Sequence, residues 1–282
     1  MIADEVNCPG PSEVRVTRTL WSVVTVAVLL VALALQGGQA SAEEDRDLAR
    51  LLADAGLTGT IVLASADGTR EYVANPTRAA TPMLPASTFK IPNTLIAPTE
   101  GVVHEEDVFH WDGRDKGVAA WNQDHTLATA FRTSCVWCYQ EIARRVGQPT
   151  YERYLTALQY GNQRPGPTLT TFWLDGDLRI SALEQIAFLR RVYAQAPPIP
   201  PAAYAVLRRI MIVEETPTSV LRGKTGWTRR ADGEHGWFVG YVEGSAGTWF
   251  FATNLEIGLS SITGRREQLI RDALRVKGIV EP

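Results

Sequence analysis

Three short patterns in this chain carry hydroxyl groups that could do chemistry, two of them beside an amine. In Pro85-Ala-Ser87-Thr-Phe-Lys90-Ile, a serine and a lysine stand three residues apart. At the start of a helix that spacing sets both side chains on one face, within hydrogen-bond reach. A serine needs a base to become a nucleophile, and a neutral lysine can be that base. The helix N-terminus adds backbone N–H groups and partial positive charge for an oxyanion. By itself the pattern also fits an N-cap serine followed by a surface lysine. The second pattern is Lys224-Thr225-Gly226. A lysine with a hydroxyl on an edge strand can hold a carboxylate, and the glycine lets a substrate backbone approach. The third is Ser134-Cys-Val136, a second serine at a helix start, which also reads as a simple N-cap. Each is weak alone; their order and spacing together are not.

Composition narrows what else the chain can be. It has 282 residues, 45% of them hydrophobic and 21% charged, which is enough apolar material for a real core. Twenty-eight basic residues against 31 acidic give a net charge of −3, with no basic block such as a nucleic-acid binder carries. His104, His110, His125 and His235 show no zinc-protease spacing, and three cysteines cannot build a disulfide framework. Cys135 and Cys138 form a C-x-x-C that could be a redox pair, a metal half-site or a small disulfide. The preferred reading is packed thiols or an incidental disulfide. Cys135 lies between two candidate site residues, so the expectation is that its oxidation lowers activity.

The N-terminal region reads as an address. Residues 19–42 carry no charge, Leu20 to Leu35 is mostly apolar, and Ala40-Ser41-Ala42 fits a signal-peptidase site. That run would span about 24 Å as a helix, short of a ~30 Å bilayer. A cleaved leader over 1–42 is therefore expected, with no stable membrane anchor afterwards and an exported chain from about Glu43. Asp4, Glu5 and Glu13 precede Arg15, which suits a leader poorly and suggests a later translation start near Val14 or Val16.

Several elements must position the candidate residues. Leu48, Leu51 and Leu52 mark a helix from Asp45 to Ala55. Thr60 to Ser65 and Arg70 to Ala74 flank Asp67-Gly68, a hairpin signal. From Pro82 to Ile180 the chain reads as helices with long loops, and Pro98 predicts an end to the Ser87 helix near Ala97. Ser181 to Glu184 is a capping box opening a helix. A helix from Ala202 to Val213, strands Gly236 to Glu243 and Thr248 to Asn254, and a helix Arg265 to Val276 complete the pattern. The fold class is α+β. Strands from both ends (about 43–83 and 181–282) share an antiparallel sheet flanked by helices, with an all-helical subdomain (about 84–180) inserted. The site belongs at the seam.

With Tyr160-Gly-Asn162 between them, these patterns resemble the motif set of the class D (oxacillinase-type) serine β-lactamases. Phe89-Lys-Ile-Pro-Asn-Thr-Leu-Ile, Trp121-Asn-Gln-Asp-His, Phe172-Trp-Leu-Asp-Gly and Gly236-Trp-Phe-Val-Gly extend the likeness over about 56–279. The resemblance implies a serine β-lactamase/penicillin-binding-protein-like fold and hydrolysis of β-lactams through an acyl-enzyme. It implies Ser87 as nucleophile, Lys90 as general base carrying a CO₂-derived carbamate, and Ser134 as proton relay to the ring nitrogen. Lys224, Thr225, Gly226 and Arg266 (with Arg265 as rival) would hold the substrate carboxylate. Backbone N–H groups of Ser87 and Trp227 would form the oxyanion hole, Val136 a dry wall, and the Trp173 indole a donor to the carbamate. No metal or other cofactor is implied, the partners are β-lactams, and the chain is a monomer or homodimer.

Physics agrees with a modified lysine. At an ordinary value near 10.4, a lysine is neutral in about one part in two thousand at pH 7, and CO₂ attacks only the neutral amine. Bringing it near 7 costs roughly 4 kcal/mol of destabilised ammonium, which apolar burial can supply. Glu152-Arg-Tyr-Leu-Thr156 is the nearest approach to the deacylating glutamate loop of class A enzymes, and Glu152 reads instead as helix surface. Two other outcomes share the motifs: a β-lactam sensor domain, or a small penicillin-binding protein that acylates without rapid turnover.

Overall fold

The computed structural model describes residues 43–230, 233–257 and 264–281. The expected leader over 1–42, with Cys8, lies outside them. Asp45 caps helix α1 (Arg46–Asp54) through Leu48 N–H, as its position before the leucine stripe predicts. The hairpin follows as β1 (Gly59–Ser65) and β2 (Glu71–Ala74), with Asp67 accepting hydrogen bonds from Ser65 and Thr69 in the turn. A short helix, α2 (Pro76–Ala80), leads to a 3₁₀ turn over Ala86–Phe89 and helix α3 (Lys90–Thr99).

The insertion holds a two-stranded ladder as well as helices. β3 (Val108–Phe109) pairs with β4 (His125–Thr126), then come α4 (Leu127–Arg132), α5 (Val136–Val146) and α6 (Gln148–Ala157). Ser181 and Glu184 cap α7 (Ala182–Tyr193) reciprocally. Helix α8 (Pro201–Ile210) stops three residues before the expected Val213. Ile212 and Val213 belong instead to β5 (Ile212–Glu215), where β-branched residues pair along β6 (Ser219–Arg230). Strands β7 (Gly233–Gly244) and β8 (Gly247–Glu256) and helix α9 (Arg265–Val276) end the chain.

All main strands are antiparallel, in the order β2-β1-β8-β7-β6-β5. Alternation sets the two faces. Ile61 and Leu63 turn toward α1 and α9, packing with Leu48, Leu52, Leu269 and Ile270. Val62 and Ala64 turn the other way, into the core that contains α3, α5 and α7. The first and last thirds of the chain thus share one sheet, as the strand pattern predicts. Among the described residues no helix is long and apolar enough to cross a membrane.

The Ser87 helix runs past its expected stop, since Pro98 lies inside α3. Pro98 has no N–H to give to the Thr94 carbonyl, and the helix closes around that missing bond. Glu100 N–H still reaches the Ile96 carbonyl at 3.0 Å, and Val102 N–H the Ala97 carbonyl at 3.1 Å.

Candidate active site

Ser87 stands in the 3₁₀ turn that leads into α3, one residue after Ala86 at φ 50°. Such left-handed backbone costs a non-glycine residue about 1 kcal/mol or more. It is held there because Ala86 N–H donates to the Trp173 carbonyl at 2.9 Å and Thr88 ties back to the Pro85 carbonyl. Just upstream, the Leu84 carbonyl accepts from the Trp237 indole at 2.9 Å and from His235 Nε2 at 3.0 Å. Strand β7 therefore pins the chain leading into the Ser87 turn, a role invisible in the sequence pattern.

Lys90 is the first residue of α3, and its Nζ lies 3.1 Å from Ser87 Oγ. The amine is 1% exposed. Phe89 stacks on Trp173 at 5.6 Å beside it, and the Tyr139 ring lies 4.8 Å below Nζ. Burial holds the amine well below the ordinary lysine range, and the positive charge of Lys224 adds to this. Trp173 Nε1 is buried with no hydrogen-bond partner. A buried N–H left unpaired, on a ring that stacks against Phe89, the sequence neighbour of Lys90, fits an added acceptor group. Tyr139 escaped sequence reasoning, because an aromatic at helical spacing reads as core.

The second serine is anchored from the opposite direction. Ser134 links α4 to α5 at φ 57°, and Cys135, not Ser134, is the N-cap of α5. Ser134 Oγ accepts from Lys224 Nζ at 2.5 Å. Lys224 also donates to the Thr225 carbonyl at 3.1 Å and to Thr225 Oγ1 at 3.3 Å. Burial, then the nearby Arg266, brings the Lys224 amine down to about 7, with Glu267 pulling the other way. The β5 ladder stops at Arg222, so among the described residues no strand pairs with β6 from Lys224 onward on the side opposite β7. That open edge passes close to the nucleophile turn. A Cβ on Gly226 would stand 3.0 Å from the Pro85 carbonyl oxygen and 3.1 Å from Thr88 Cγ2.

Arg266, on the first turn of α9, donates from Nη1 to the Gly226 carbonyl at 2.6 Å, and its buried Nε has no partner. It reaches β6 over Gly236, where a Cβ would meet its Cδ at 2.9 Å. Its rival Arg265 turns away and bonds to the Ala55 carbonyl. Trp227 lies half exposed at the rim, and Val136 is half-buried at the start of α5. A cavity of about 570 Å³ opens beside Lys224 and Thr225, lined also by Phe131, Arg132, Ile212 and Glu267. Glu152 projects from the outer face of α6.

His125, Cys135 and Cys138 bring their donor atoms within 4.8 Å of one another. The two sulfurs are joined as a disulfide, however, so no thiolate is left to hold a metal.

Two serine–lysine couples brought close where β6 passes the Ser87 turn, at the junction of an antiparallel sheet and the insertion, define a serine acyl-transfer protein of the penicillin-recognising fold. A model of the penicillin-binding protein transpeptidase domain matches residues 58–274. The chain is 40% identical over 223 residues to β-lactamase OXA-48 of Klebsiella pneumoniae, covering 79% of this chain and 84% of that protein. It is 37% identical over 267 residues to β-lactamase OXA-2 of Salmonella typhimurium, covering 93% of each. Among solved structures, the class D β-lactamase YbXI from Nostoc superposes with a TM-score of 0.80 at 37% identity, covering 83% of this chain and 99% of that one. The class D enzyme FUS-1 (OXA-85) of Fusobacterium nucleatum gives 0.81 at 31% identity, covering 85% and 100%. The chain belongs to the class D β-lactamase family.

Proposed function

We infer that this protein hydrolyses β-lactam antibiotics and so confers resistance to them, with Ser87 as nucleophile and Lys90 as base. The observation that carries this reading is the buried Lys90 amine 3.1 Å from Ser87 Oγ, and the unpaired indole N–H of Trp173, whose ring stacks on Phe89, supports it. In acylation, the Ser87 proton passes to Lys90 while Oγ bonds to the ring carbonyl. Oxygen charge develops at the backbone N–H groups of Ser87 and Trp227. The ring C–N bond then breaks, and the nitrogen takes a proton from Ser134 Oγ, replenished from Lys224. Thr225, Gly226 and Arg266 orient the substrate carboxylate against the β6 edge. Between the steps the proton held by Lys90 passes back through solvent to the Ser134–Lys224 couple. In deacylation Lys90 takes a proton from water as the water oxygen adds to the ester, the bond to Ser87 breaks, and that proton goes to Ser87 Oγ.

Lys90, with Trp173 and the half-buried Val136 about it, is suited to carry a CO₂-derived carbamate. Such a group supplies a carboxylate-like base for both Ser87 and the hydrolytic water. No other cofactor enters the reading. Residues 43–282 act as one catalytic domain, and residues 1–42 as a leader removed on export, which leaves the enzyme periplasmic or secreted as a monomer or homodimer.

A time course with a chromogenic cephalosporin, with and without bicarbonate, tests the reading. Sustained turnover that rises with bicarbonate is expected. Stoichiometric acylation without turnover would reject it in favour of a sensor or a penicillin-binding protein.

A further inference from the structure

The proton relay depends on a residue in an unfavourable backbone conformation. Ser134, at φ 57°, connects two helices, and its Oγ must meet Lys224. Upstream the connection is firmly tied: Ser134 N–H donates to the Phe131 carbonyl at 3.2 Å, and Cys135 N–H to the Ala130 carbonyl at 2.9 Å. Downstream it is not. Helices α1, α4 and α7 are capped by side-chain oxygens of Asp45, Thr126 and Ser181. Helix α5 is capped by the sulfur of Cys135, which accepts from Cys138 N–H at 3.2 Å, and its first turn holds no acidic residue. Sulfur is a weak acceptor.

What that cap lacks, a covalent bond supplies. Cys135 and Cys138 are joined as a disulfide across this same first turn, with both side chains fully buried. A bridge closing so short a loop restrains the unfolded chain little, so its main consequence is local. It fixes the first turn of α5 and with it the direction in which the chain leaves Ser134.

We propose that the Cys135–Cys138 bridge is a positioning element for Ser134, holding its Oγ on the Lys224 amine so that the ring nitrogen is protonated during acylation. The oxidised chain is then the competent one, because the bridge and the complete Ser134–Lys224 contact coexist in one structure. This sign is opposite to the expectation that oxidation lowers activity. The proposal rests on Ser134 as the proton relay.

That dependence makes it separable from a structural role. Protonation of the leaving nitrogen belongs to acylation, whereas hydrolysis of the acyl-enzyme uses Lys90 and water. Pre-steady-state kinetics on Cys135→Ser/Cys138→Ser, which keeps a hydroxyl cap on α5, should show acylation slowed about tenfold or more, since small misplacements at reacting groups cost that much. Deacylation should stay within about twofold. Dithiol-reduced wild-type protein, with its two thiols confirmed by mass, should show the same split, and reoxidation should restore the acylation rate. It serves equally if the double variant does not fold. Unchanged acylation, or equal slowing of both steps, would overturn the proposal. Ser134→Ala is read separately: if it leaves acylation intact, the relay assignment itself fails.

Discussion

Ser87 with Lys90, and Ser134 with Lys224, are the same chemical couple set in different ground. In both, an amine and a hydroxyl are within hydrogen-bond distance, and in both burial depresses the lysine. Lys90 lies over the Tyr139 ring, next in sequence to Phe89, which stacks on Trp173, with Ser87 as its hydrogen-bond partner. Lys224 lies on an open strand edge, with Thr225, Arg266 and Glu267 about it and a cavity in front. The dry site favours a neutral amine and hence a base. The polar, cavity-facing site keeps a proton near neutral pH and hence a donor and an anion holder. Surroundings, not the couple, assign the roles.

The largest test of this contrast is Ser87→Ala beside Ser134→Ala. Loss of the nucleophile should abolish the covalent penicillin adduct seen by intact-protein mass spectrometry, whereas loss of the relay should only slow its appearance. An adduct on Ser87→Ala would end the assignment. Next, Lys90→Ala should lower kcat by about 10²–10⁴-fold, the usual share of a general base, with no recovery in bicarbonate. Lys224→Ala should act mainly through KM, raising it by about tenfold or more for loss of one charge-assisted hydrogen bond. Equal kcat losses in the two variants would erase the distinction.

A pH series separates the lysines more finely. The Lys224 charge is present below about 7 and lost above it. KM should therefore climb as pH rises through that range, because the substrate carboxylate then meets a neutral amine. In Lys224→Arg, which stays charged, the climb should vanish. The smallest contrast is between neighbours on α9. Arg266→Ala should raise KM several-fold, and Arg265→Ala should leave steady-state constants unchanged while lowering the melting temperature slightly.

Much of the positioning scaffold was legible in sequence. The Ser181–Glu184 capping box, the Asp67-Gly68 hairpin and the helix from Arg265 to Val276 all stand where local patterns put them, because caps, turns and amphipathic stripes are short-range effects. Strand β5 was not legible. Ile212 and Val213 continue a helical apolar stripe, and only pairing with β6 makes them a strand. The bridge was equally undecided, since a C-x-x-C fits packed thiols, a metal half-site or a disulfide.

By itself, then, the sequence determined the family, since Ser87, Lys90, Ser134 and Lys224 sit in patterns whose order and spacing define it, and so named the residues proposed to carry the chemistry. It also determined the α+β alternation, through hydrophobic periods of 2 and 3.6. Tertiary structure alone decided which lysine lies dry and which faces a cavity, that Arg266 rather than Arg265 reaches Gly226, and that the Leu84 carbonyl is pinned from β7. These depend on residues 40 to 210 positions apart in the chain. Burial and long-range contact are properties of the packed chain, and no local pattern encodes them.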